Sequence, residues 1–107
     1  MRRTCVLLAL ALLSTSGLHA QELGDAQAGL SVAREACTSC HAVLVGERNS
    51  PNRQAPSFEQ IARVPGMTVT ALTVALQTSH KTMPNIILEP DEVRDLATYI
   101  VSLGNHP

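Results

Sequence analysis

Apolar residues recur at helical spacing in four stretches of this chain, and no run shows the strict alternation of a half-buried strand. Asp25 is a good N-cap, and Gly29, Leu30, Ala33, Cys37 and Cys40 follow on one face, which predicts a first helix carrying both cysteines. Ser57 to Gln60 reads as a capping box and predicts a short helix through Ile61 and Ala62. Thr68 can cap a third helix, whose stripe is Ala71, Leu72, Ala75 and Leu76. Pro90 stands where a first helical residue would, with Asp91 and Glu92 behind it. Val93, Leu96, Ala97, Ile100 and Leu103 then form a strong apolar stripe, ended by Gly104. Two irregular segments separate the helices: 43–56, with Gly46, Pro51 and Pro56, and 78–90, with Pro84 and Pro90. The expected class is all-α, about four helices with long functional loops.

Residues 1–20 follow a different pattern. Met1-Arg2-Arg3-Thr4 is a short basic start, Cys5 to Leu13 is unbroken apolar, and small residues lead to Leu18-His19-Ala20. That is the layout of a secretory signal peptide, with cleavage expected after Ala20. The apolar run is short against the ~20 residues of a spanning helix, so no stable membrane insertion is expected after cleavage. Cys5 leaves with the leader, and Arg2-Arg3 reads as an ordinary basic start rather than a twin-arginine signal. Residues 21–107 then form the mature domain, exported and, in a bacterium, periplasmic.

A domain of that size has a thin core and usually needs a metal, disulfides or a cofactor. Its aromatics are Phe58 and Tyr99, with no tryptophan, so something else is expected to fill the centre. Its balance of Asp and Glu over Lys and Arg gives no electrostatic support for a nucleic-acid partner. Segment 41–84 is the basic part, carrying Arg48, Arg53, Arg63 and Lys81 against Glu47 and Glu59.

The chemistry centres on residues 35–43, EACTSCHAV. On a helix Cys37, Cys40 and His41 share one face. Cys-x-x-Cys-His is the attachment signal for a c-type haem: each thiol adds to one vinyl group of the porphyrin and the imidazole reaches the iron. A structural zinc site would call for a second ligand pair. A redox dithiol would call for a βαβ context. A second axial ligand is sought among Met83, His80, Met67 and His106. Met83 is favoured because Pro84 stiffens its loop and a thioether is a soft, weak ligand; His80 is the rival.

Those residues resemble the class I cytochromes c in their short bacterial form, over nearly the whole mature chain. The resemblance makes Cys37 and Cys40 the covalent haem thioethers, His41 one axial ligand and Met83, in TMPN, the other. It makes Gly29 the glycine that packs on the last helix. It makes Pro56, in APSF, the residue whose carbonyl bonds the ligating histidine. In EVRDLATYIVSL it makes Leu96 and Tyr99 packing residues of the terminal helix. Ala33 replaces a frequent aromatic, implying a lighter helix contact, and Ala42 a frequent glycine. Arg53 or Arg63 is available to a haem propionate, or is plain solvated charge.

The implied function is one-electron transfer, not enzymatic catalysis, by a periplasmic carrier with one covalent haem c and His/Met ligation. Its donor and acceptor would be redox proteins, with an acidic docking surface if the basic segment steers them. Two alternatives stay open. One is a cytochrome subunit of a periplasmic dehydrogenase or oxidase complex; the other is a ligand-binding or sensing haem protein if Met83 is labile.

Overall fold

The computed structural model describes residues 24–78, 80 and 82–105. The expected leader, Lys81 and His106 lie outside the described residues. Four helices follow in order: α1 (Ala26–Ala36), α2 (Phe58–Ala62), α3 (Val69–Gln77) and α4 (Pro90–Leu103), with no strand among the described residues.

Each helix starts where a side chain satisfies its free amides. Asp25 accepts from the Gln27 and Ala28 amides. The Ser57–Gln60 box closes in both directions, at 3.2 and 2.9 Å. Thr68 accepts from Ala71 at 3.0 Å. Glu89 and Glu92 form a second box ahead of α4, with Pro90 in the first turn.

The end of α1 differs from the expectation. The helix stops at Ala36, with Cys37 as its C-cap, so Cys37, Cys40 and His41 sit on a hydrogen-bonded turn just beyond it. Beyond the stop, the Cys40 and His41 amides both turn back to the Cys37 carbonyl, and the Thr38 hydroxyl donates to the Arg34 carbonyl at 3.0 Å. The Cys40 carbonyl is taken by the amide of distant Asn52 at 3.2 Å.

Helix α4 is the hub against which α1, α2 and α3 all pack. Its buried stripe is Val93, Leu96, Ala97, Tyr99, Ile100 and Leu103. Against α1 the approach is backbone to backbone: a Cβ on Gly29 would lie 2.0 Å from the Asp95 carbonyl oxygen and 2.7 Å from Tyr99 Cβ. The Gly24 and Asp25 amides reinforce that crossing by donating to Thr98 Oγ1 and Asp95 Oδ1. Ala33 is wholly buried in the same core. Gly104 ends α4 with an ordinary right-handed φ of −69°, not the left-handed one a terminal glycine suggests. Its smallness serves a close approach instead, since a Cβ there would meet the Ala62 carbonyl at 3.0 Å.

The third helix behaves differently. Only Leu72 of its stripe is buried; Ala75 and Leu76 are half-buried and face a cleft. No described helix is long and apolar enough to cross a membrane.

Candidate functional site

The cleft holds about 300 Å³, at the lower end for sites that enclose a small ligand. One wall is the 37–41 turn with Pro56 and Phe58, and another is Leu72, Ala75 and Leu76 of α3. Ile100 lies in it from α4, and segment 80–86 supplies His80, Thr82, Met83, Pro84 and Ile86. Apart from the cysteines, His41 and a polar edge at Ser39, Asn52, Gln54, His80 and Thr82, the lining is apolar, including the thioethers of Met67 and Met83.

His41 is held in this wall by a hydrogen bond and a ring contact. Its Nδ1 lies 2.7 Å from the Pro56 carbonyl oxygen. A carbonyl only accepts, so Nδ1 carries the proton and Nε2 keeps its lone pair. The ring packs on Phe58, centroid to centroid 5.4 Å, and Phe58 in turn approaches Tyr99 at 6.5 Å. Two further bonds lock the neighbouring backbone: Phe58 N–H to the Ala42 carbonyl at 2.9 Å, and Ala42 N–H to Ser50 Oγ at 3.0 Å.

Cys37 is buried and Cys40 half-buried, and neither is in a disulfide. Burial, with Cys40 beside it, pushes the Cys37 thiol up to about 11. Among the described residues, no three His, Cys, Asp or Glu side chains converge as a metal site.

The cleft brings Met83, Met67 and His80 together with that wall. Met83 is half-buried; His80 is exposed, and its Nδ1 donates to the Thr78 carbonyl at 2.7 Å. Neither Arg53 nor Arg63 lines the cleft. Arg53 is exposed on the 43–56 loop, and Arg63 pairs with Glu59 at 3.9 Å. Asn52 and Gln54 of the 43–56 loop do line the cleft.

Sequence reasoning missed two residues. Glu59, counted there only as charge, is buried and accepts from Gly46 N–H at 2.7 Å. Tyr99, taken as packing, also donates its hydroxyl to the Val43 carbonyl at 2.5 Å. Both partners are loop backbone groups, for which no spacing in the sequence is a signal.

The donor set fits a covalent haem. Two thiols and an imidazole with a bare Nε2 share one rim, a thioether is available in the cleft, and the lining is apolar.

Comparison with known proteins agrees with that chemistry. Residues 26–104 match the family described as Cytochrome c. The chain is similar to cytochrome c-552 of Bradyrhizobium diazoefficiens, 37% identical over 103 residues, covering 96% of this chain and 94% of that protein. No solved structure matches. Three helices gathered on α4 around a largely apolar cleft with Cys37, Cys40 and His41 at its rim, together with these matches, place the chain in the class I cytochrome c family, as a haem-based electron carrier with one covalently bound c-type haem.

Proposed function

We propose that the mature chain, residues 21–107, is exported by the leader in 1–20 and carries single electrons in the periplasm, with thioethers at Cys37 and Cys40 and with His41 and Met83 as axial ligands. The observation that carries this reading is the His41 Nδ1–Pro56 bond at 2.7 Å, in the wall of a cleft shared with both cysteines and Met83. Pro56 orients the imidazole and, by accepting the hydrogen bond from Nδ1–H, raises the basicity of Nε2. Phe58 limits tilting of that ring. Leu72, Leu76 and Ile100 exclude water, and Pro84 restrains the backbone beside Met83. When bound, the haem supplies a one-electron ferric/ferrous couple, which thioether ligation biases toward ferrous.

The ligand assignment is tested by Met83→Ala and His80→Ala, read by the ferric far-red band that sulfur ligation produces. Met83→Ala should abolish the band and His80→Ala should keep it; survival of the band without Met83 would transfer the ligand role elsewhere. Rapid carbon monoxide binding to the reduced wild type, without denaturant, would instead favour a sensing role. Exposed Arg48 and Arg53 on the 43–56 loop favour an acidic redox partner. The transfer rate should therefore fall as ionic strength rises, and a flat response would remove the steering.

A further inference from the structure

Glu59 is a buried acid that electron transfer does not obviously need. It is 7% exposed, in the first turn of α2, where an acid could equally have faced water. Its Oε1 accepts from the Gly46 amide at 2.7 Å, and its Oε2 lies 3.9 Å from the Arg63 guanidinium. The bond crosses between two segments already joined twice: the His41 ring to the Pro56 carbonyl, and the Phe58 amide to the Ala42 carbonyl. Residues 56–59 are thus laced to residues 41–46 by three bonds in sequence order, with Glu59 and Gly46 as the outermost rung.

A lace of this kind sets register. With both ends tied, the Pro56 carbonyl cannot slide along the 41–46 backbone, and the imidazole bond keeps one length. With the outer rung cut, segment 43–47 is still held at its start by the buried Val43 side chain and the Tyr99 hydroxyl on its carbonyl, but residues 45–47 lose their tie to α2, and the lace can open from that free end toward His41.

We propose that Glu59 is a positioning residue for His41: by accepting the Gly46 amide it fixes the register in which Pro56 holds the imidazole. The role of that imidazole as axial ligand rests on the function proposed above, but the positioning claim concerns a hydrogen bond of the protein itself.

The test is hydrogen exchange of the His41 Nδ1–H in the haem-loaded protein, followed by NMR and referenced to the Leu96 and Ile100 amides of α4. Glu59→Ala should accelerate the ring proton by ~10-fold or more relative to those amides, as expected for local opening. Glu59→Gln keeps an acceptor oxygen at the same reach and should stay within about twofold of wild type. Equal acceleration of the ring proton and the α4 amides in Glu59→Ala would show general loosening and overturn the proposal, as would an unaltered ring proton. If Glu59→Ala does not fold, Glu59→Asp, one methylene short of Gly46, replaces it under the same criteria. Hyperfine-shifted ring signals of His41 in the ferric wild type report ligation separately. Their absence would remove the ligand assignment while the exchange comparison still decides the role of Glu59.

Discussion

The two sides of the cleft are built by opposite means. On the cysteine side, His41 is tied to Pro56, stacked on Phe58 and flanked by backbone bonds from Phe58 to Ala42 and from Asn52 to Cys40. On the methionine side, segment 82–88 forms no helix or strand, Met83 is only half-buried, and Ile87 is 94% exposed. One ligand candidate is held by a lattice of short bonds; the other hangs on a span between the end of α3 and the capping box of α4. Such a pairing concentrates hydrogen bonds and packing beside the two cysteines and leaves the opposite face less tied to the core.

That contrast is open to direct challenge. The largest expected effect is on the attachment side: Cys37→Ala with Cys40→Ala should eliminate covalent haem and leave the chain largely unfolded by circular dichroism, because α3 buries only Leu72 on its own. A well-folded double variant would show that the four helices form a sufficient core without the haem.

Next comes the crossing beneath the site. Gly29→Ala gains roughly 1 kcal/mol of helix propensity. Its new Cβ, however, would stand 2.0 Å from a backbone carbonyl that cannot rotate away. The clash should win, with a net loss of about 3 kcal/mol in a guanidinium titration. A stabilised variant would mean that α1 and α4 separate at little cost.

On the methionine side, Met83→Ala should leave a folded protein with a lower reduction potential. Its stability loss should be at or below ~2 kcal/mol, the low end for buried methionine, since Met83 is half-buried. A loss larger than that of Gly29→Ala would reverse the contrast drawn above.

The smallest effect belongs to Tyr99→Phe, which leaves the Val43 carbonyl without its buried donor at a cost of about 1 kcal/mol. Burial raises the Tyr99 phenol above its ordinary value of 10.0, with Arg34 opposing and Glu47 and Glu59 reinforcing the shift. A folded-state value above the unfolded one gives stability that is complete below about pH 10 and is lost as pH rises through the folded value. Wild type should therefore lose stability above pH 10 by a component that Tyr99→Phe lacks; parallel alkaline curves would disprove that coupling.

Features governed by near neighbours were legible in the sequence. The Ser57–Gln60 box and the Asp25 and Thr68 caps each join residues two or three apart, so their spacing displays the bond itself. The stripe of α4 was equally plain, because one helix must offer a continuous face to three others. The end of α1 was not. Apolar spacing carried that helix through Cys40, but it ends at Ala36, and the chain beyond is a turn whose Cys40 carbonyl is bonded by Asn52 from the following loop. Arg53 and Arg63 looked available to the site because charge shows in a sequence and direction does not.

By itself the sequence determined the helical class, the helix starts and the family, since the caps, stripes and Cys-x-x-Cys-His spacing that carry them depend on residue type at short separation. Tertiary structure decided the rest. It set the tautomer of His41 through a carbonyl 15 residues away, the burial of Glu59 against Gly46 13 residues away, and the bond from Tyr99 to Val43 across 56 residues. It also brought Met67, His80 and Met83 to the same cleft. The physical reason is common to all of these: a buried donor must find an acceptor somewhere, and only the folded path of the backbone says where.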